Sequence, residues 1–119
     1  REKWILDFDN VNYKNQRFKK NIILKKFSKT LNEENIHKIY MDLSYKLGLG
    51  EPKVDKKPRY PYNLIFTNRW MLLIRRKTDN LYGISVNALG FAGYILVTAI
   101  SDIKYLKKVG PEKLIENFL

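Results

Sequence analysis

Apolar side chains gather along this chain in short continuous runs and in stretches of helical spacing, and the two patterns predict different elements. Asn21-Ile-Ile-Leu-Lys-Lys-Phe27 carries a β-branched apolar run and predicts a short strand. Ile36, Ile39, Tyr40, Leu43 and Leu47 then recur at helical spacing, so one face of an amphipathic helix is apolar. Thr30 with Glu33 matches a capping box at its start, and Gly48 supplies its stop. Residues 50–61 combine three prolines with charged side chains and read as an exposed connection. Beyond it, the apolar, aromatic-rich runs 62–67 and 70–75 are separated by Asn68-Arg69, the spacing of an antiparallel hairpin closed by a tight turn. Both runs are apolar on both faces, so the hairpin is expected inside a larger, covered sheet. Residues 77–83 read as a loop, and Asn87 to Thr98 as a helix with Asn87 as N-cap and Leu89, Ala92, Ile95 and Leu96 periodic. Ser101 is placed to cap a short helix ended by Gly110, and Pro111 to open a last one through Leu119. Strands and helices in this order give an α+β class, an antiparallel sheet flanked by helices.

With 119 residues, 45% of them apolar, the chain has material for one modest core. It contains 23 Lys and Arg against 12 Asp and Glu, a net charge of +11, of which residues 1–59 contribute +7. A positive surface attracts polyanions such as nucleotides, nucleic acid or acidic lipid, without choosing among them. The lysines of the first half are scattered between apolar residues, the distribution of a solvated face rather than of a binding tract. No cysteine is present, which excludes a disulfide framework and thiolate chemistry and fits a reducing, cytoplasmic setting. No apolar run reaches the length of a membrane span. The first residues lack the layout of a signal peptide, and from a start without methionine among charged residues a fragment of a longer protein is expected.

Candidate chemistry concentrates in Gly83-Ile-Ser-Val-Asn-Ala-Leu-Gly-Phe-Ala-Gly93, where small and hydrogen-bonding residues meet at a helix entrance. Free N–H groups at such an entrance, aided by the helix dipole, face an anion such as phosphate. Gly90 and Gly93, one turn apart, bare a strip of backbone that either approaches a ligand or lets the helix pack tightly on the hairpin. Neither the dinucleotide fingerprint nor the P-loop occurs. The single histidine, His37, falls beside the apolar stripe of its helix and reads as structural. A basic nucleic-acid-binding module is the alternative function. It would use the Lys-rich half with Tyr13, Phe18, Phe27, Tyr40 and Tyr45, but most of these rings fall at core-facing positions, whereas base stacking needs exposed ones.

Three segments in order resemble one family. Pro61-Tyr-Asn-Leu-Ile-Phe-Thr-Asn-Arg-Trp-Met-Leu-Leu-Ile-Arg-Arg76, the Gly83–Gly93 stretch and Leu106-Lys-Lys-Val-Gly-Pro111 resemble the C-terminal domain of the ATP adenylyltransferases, the diadenosine tetraphosphate phosphorylases. Arg17-Phe-Lys-Lys-Asn-Ile-Ile-Leu24 and the stretch from Ile36 to Leu49 look like the strand and helix that follow the active-site motif in these enzymes. The resemblance implies residues 1–59 as that strand and helix with a basic linker and residues 60–119 as the C-terminal domain, the two forming one compact unit of a histidine-triad-like fold. It implies reversible phosphorolysis of diadenosine tetraphosphate to ATP and ADP through an adenylyl-histidine. The His-x-His-x-Gln motif that supplies the nucleophile is absent, so the chain holds no catalytic residue and no turnover is expected from it alone.

Carried onto this sequence, the family's nucleotide and phosphate contacts fall on Asn87, Ala88, Leu89 and Gly90 at the helix entrance and on Tyr94 and Thr98 further along. Where the family has Pro-Arg after the second hairpin strand, this chain has Arg75-Arg76, and where it has a basic residue this chain has Thr98. Arg75, Arg76 or Lys77 is expected to supply the cation missing at Thr98, with Arg76 the one counted among the site residues. The implied partners are an adenine nucleotide or dinucleoside polyphosphate, phosphate, and the upstream catalytic part of the same protein, with no membrane and with nucleic acid disfavoured. No cofactor or protein-held metal is implied within this segment; a divalent cation such as Mg would arrive with the nucleotide.

Overall fold

A strand apolar on both faces needs cover on both faces, and Trp70–Arg75 has it. The computed structural model describes residues 6–7, 12–13, 20–87, 95–98 and 100–119. In chain order its elements are β1 (Leu6–Asp7), β2 (Asn12–Tyr13), β3 (Ile22–Lys26), α1 (Glu33–Lys46), β4 (Tyr62–Phe66), β5 (Trp70–Arg75), α2 (Ile103–Val109) and α3 (Pro111–Phe118). β1 and β2 form a two-stranded antiparallel ladder, and the main sheet has the order β3-β5-β4 with both pairings antiparallel. Ile22 faces Ile74 across one side of β5, and Tyr62 faces Arg75 across the other. This is the expected α+β arrangement of an antiparallel sheet with flanking helices.

The twofold alternation of β5 divides the core. Leu72 and Ile74 point to a cluster with Ile22, Ile84, Val86, Leu114, Ile115 and Phe118, so α3 covers that face. Met71 and Leu73 point to Leu43, Leu47 and Leu49, with Ile36, Ile39 and Tyr40 packed alongside, so α1 covers the other. All four strand residues are 0% or 1% exposed, and full burial of each such side chain contributes about 1.5–3 kcal/mol. The hairpin turn is held by Thr67, whose N–H donates to Trp70 O and whose hydroxyl accepts from the Arg69 and Trp70 amides.

Helix ends depart from the sequence reading in two places. Asn32, not Thr30, caps α1: its side chain accepts from the Asn35 amide at 2.9 Å, which makes Glu33 the first helical residue and removes the capping-box register. Asp102, not Ser101, caps α2 by accepting from the Tyr105 amide, because the Ser101 hydroxyl is engaged with the loop at Gly83. At the other end of α1, Gly48 at φ 76° sits between Gly48 N–H to Tyr45 O and Leu49 N–H to Ser44 O, the paired bonds of a Schellman stop. The Arg75 guanidinium adds a third partner, donating to Leu47 O at 3.1 Å. Among the described residues no helix is long and apolar enough to cross a membrane.

Candidate functional site

Where β5 leaves the sheet, three successive amides are tied to three different elements. Arg75 N–H donates to Asn21 O, Arg76 N–H to Pro61 O and Lys77 N–H to Phe118 O, at 2.7, 2.8 and 2.8 Å. The backbone of Arg76 is therefore fixed from both sheet edges and from the end of α3. Its side chain is buried, and the guanidinium turns back on its own loop: Nη1 donates to Thr78 O at 3.2 Å and Asp79 O at 3.5 Å, and Nη2 to Asp79 Oδ1 at 3.4 Å. Nε is buried with no hydrogen-bond partner among the described residues. Burial pushes this guanidinium below its ordinary value, while the Asp79 carboxylate, by charge and hydrogen bond, pulls the other way. The Asp79 side chain is 81% exposed, so water competes for it, and the contacts it offers are long. A buried guanidinium with an unbonded Nε keeps hydrogen-bonding capacity that an anion can complete.

The loop after Arg76 links this group to the rest of the predicted site. Asp79 O also accepts from the Ser85 hydroxyl at 3.0 Å, and Asn80 Oδ1 accepts from Gly83 N–H at 3.1 Å. Leu81 and Ile84 exchange both backbone bonds around Tyr82 and Gly83, at φ 52° and 72°. Ser101 then locks the turn from the far side: its hydroxyl donates to Gly83 O at 3.0 Å and accepts from Thr98 N–H at 2.9 Å. Asp102 N–H donates to Tyr82 O, and the Tyr82 ring stacks on Tyr105 at 3.9 Å. Arg76 and Ser85 thus meet at Asp79, Thr98 meets Gly83 through Ser101, and residues 83–85 join the two groups.

Of the residues expected to contact ligand, Arg76 and Thr98 are placed by these bonds, and Asn87 is exposed two residues beyond Ser85. Ala88, Leu89, Gly90 and Tyr94 lie outside the described residues. The helix expected from Asn87 to Thr98 does not extend over its last turn: Ile95–Thr98 are not helical, and the Thr98 amide is bound by Ser101 instead. β-Branched Ile95, Val97 and Thr98 disfavour helix there. Sequence reasoning missed Asp79, Ser85 and Ser101; Ser85 lay within the stretch it singled out, Asp79 is bound to Arg76 and Ser85 within its own loop, and Ser101 is brought in by a contact 18 positions away.

Two of the aromatic residues of the alternative reading are committed to packing, and Phe18 and the Tyr13 side chain lie outside what the structure describes. Phe27 and Tyr40 pack against the α1 side of the core, whereas Tyr45 is 68% exposed. His37 is exposed on α1, its ring 6.4 Å from that of Tyr40. The Tyr40 and Tyr62 hydroxyls share a 2.8 Å hydrogen bond across the α1–β4 contact. That bond first, then burial, pushes the Tyr62 phenol from 10.0 up to about 12. Because the fold favours the neutral phenol, its contribution to stability is complete below pH 10 and is lost as pH rises toward about 12. Urea midpoints measured from pH 9 upward should therefore fall more steeply for the wild type than for Tyr62→Phe; parallel curves would remove the pair from the account. Among the described residues no group of three or more His, Asp or Glu side chains is placed to hold a metal ion.

A family model described as the ATP adenylyltransferase C-terminal domain matches residues 9–118. No curated protein and no solved structure matches the chain.

Proposed function

We propose, for a chain that belongs to the ATP adenylyltransferase C-terminal domain family, a role as the C-terminal segment of a nucleotidyltransferase that phosphorolyses diadenosine tetraphosphate. A histidine of the upstream part attacks the α-phosphorus, ATP leaves, and phosphate opens the phosphorus–nitrogen bond of the adenylyl-histidine to give ADP and the free imidazole. The present chain, with its single His37 exposed on α1 and no His-x-His-x-Gln motif, supplies nucleotide and phosphate contacts and no nucleophile. Those contacts are Asn87, Ala88, Leu89, Gly90, Tyr94, Thr98 and Arg76, and a divalent cation such as Mg enters with the nucleotide as part of the substrate.

The observation that carries this reading is the buried, incompletely bonded Arg76 guanidinium next to the loop that leads, through Ser85, to Asn87. Arg76 supplies the cation that the family places at the position held here by Thr98. The packing of Phe27 and Tyr40 supports the enzyme reading over a nucleic-acid-binding module. Arg76→Ala in the intact enzyme is expected to weaken binding of the tetraphosphate by about 10- to 100-fold, the worth of hydrogen bonds to a charged group. Equilibrium titration of the two proteins tests it, and an unchanged affinity would remove Arg76 from the site.

A further inference from the structure

The charged connection between α1 and β4 is not a loose tether at its second half. Arg59 N–H donates to Leu49 O at 2.9 Å, Arg76 N–H donates to Pro61 O at 2.8 Å, and the Arg75 guanidinium lies 4.7 Å over the Tyr60 ring. These bonds hold residues 57–61 beside Arg76, where an open surface groove of about 460 Å³ is lined by Lys57, Arg59, Tyr60, Tyr62, Arg76 and Asp79. Three cations face it against one carboxylate, and among the described residues neither Lys57 nor Arg59 forms an ion pair. The buried member of the set, Arg76, keeps an unpartnered Nε and makes only long bonds to its own loop.

We infer that this groove is a binding site for a phosphate group of an organic phosphate, with Arg76 at its base and Lys57 and Arg59 at its rim. Asp79 offsets part of the desolvation of Arg76, an anion that completes its hydrogen bonding offsets more, and a planar fork suits the oxygens of a phosphate. Lys57 and Arg59, on backbone pinned by the Arg59 and Arg76 amides, add charge without adding a competing acceptor. Tyr60 and Tyr62 give the wall aromatic surface against which the organic part of an ester can lie. The nucleotide identity of that ester rests on the function proposed above; the anion site itself does not.

The test titrates the 119-residue chain with inorganic phosphate, AMP and ATP while following the Arg76 Nε–H resonance by NMR, with Lys57→Gln and Arg59→Gln as variants. Both side chains are exposed, so the variants keep the fold, and the amide spectrum of the β-sheet serves as the control. The expected result is a saturable shift of the Arg76 Nε–H signal whose midpoint rises about tenfold in Arg59→Gln and by a smaller factor in Lys57→Gln. Absence of a saturable shift with all three anions, or midpoints indifferent to both variants, would overturn the inference. Equal, Arg59-dependent binding of inorganic phosphate and AMP with no gain for ATP would uphold the anion site while counting against the adenine nucleotide. ATP binding that ignores Lys57 and Arg59 would do the reverse.

Discussion

Gly83→Ala is expected to destabilise the chain by roughly 3 kcal/mol, lowering its melting temperature by about 10 °C. Two costs combine at this position. The residue sits at φ 72°, where a side chain costs about 1–2 kcal/mol, and a Cβ there would lie 2.1 Å from Ile100 O and 2.8 Å from its carbon. The obstacle is backbone, so no rotamer change relieves it, and overpacking of this kind adds about 1–3 kcal/mol. The loop and Ile100–Ser101 must then separate, breaking the Ser101 hydroxyl bond to Gly83 O and the Asp102 amide bond to Tyr82 O. Thermal unfolding of the variant checks the stability, and a loss below about 1 kcal/mol would mean that the turn at Gly83 is not built as described. Ligand affinity should fall with stability, because Thr98 is positioned through Ser101.

Phe118→Ala is the second large effect, at about 3–5 kcal/mol. Phe118 is 0% exposed and packs with Leu72, Ile74 and Leu114, closing α3 over one face of the sheet. A domain of this size has only about 5–15 kcal/mol in total, so the cavity left by the ring removes a large share. The change also reaches the site, because Phe118 O accepts from the Lys77 amide and Leu119 O from the Asn21 side chain, on either side of the point where Arg76 leaves β5. Hydrogen exchange should therefore quicken in α3 and at Lys77 before it does in α1, whose packing lies on the opposite face. Phe118→Leu, which keeps most of the volume, should recover most of the stability. Uniform quickening through both helices would show that the two faces of the sheet do not respond separately.

The sheet was legible because its signals are local. Continuous apolar runs flanking Asn68-Arg69 close as a hairpin, and their two-sided hydrophobicity predicted cover on both faces, which Trp70–Arg75 has and Tyr62–Phe66, last in the described sheet with Phe66 52% exposed, has only in part. The stripe from Ile36 to Leu47 likewise named the residues that pack on that strand. Caps were less legible, since Thr30 and Asn32, or Ser101 and Asp102, are equally able to cap by chemistry. Only the competing bond of Ser101 to Gly83, a contact 18 positions away, decides the second case. The candidate site was legible as a stretch of residues and not as a place. Arg76 could be suspected from the doubled arginine, yet its burial and its bond to Pro61 depend on pairing across the hairpin. Lys57 and Arg59 looked like solvated linker charges, because nothing in the connection itself states that Leu49 O will hold it down.

On the proposed function, these residues bind an adenine dinucleotide through the phosphate site at Arg76 and do not consume it. Calorimetric titration of the chain with diadenosine tetraphosphate at several salt concentrations, with recovery of the nucleotide afterwards, addresses it most directly. One saturable site is expected, tighter than for single-stranded RNA of equal charge, with a shallow salt dependence and the nucleotide returned intact. Binding matched by the RNA and falling steeply with salt, or release of ATP and ADP by the repurified chain, would contradict it.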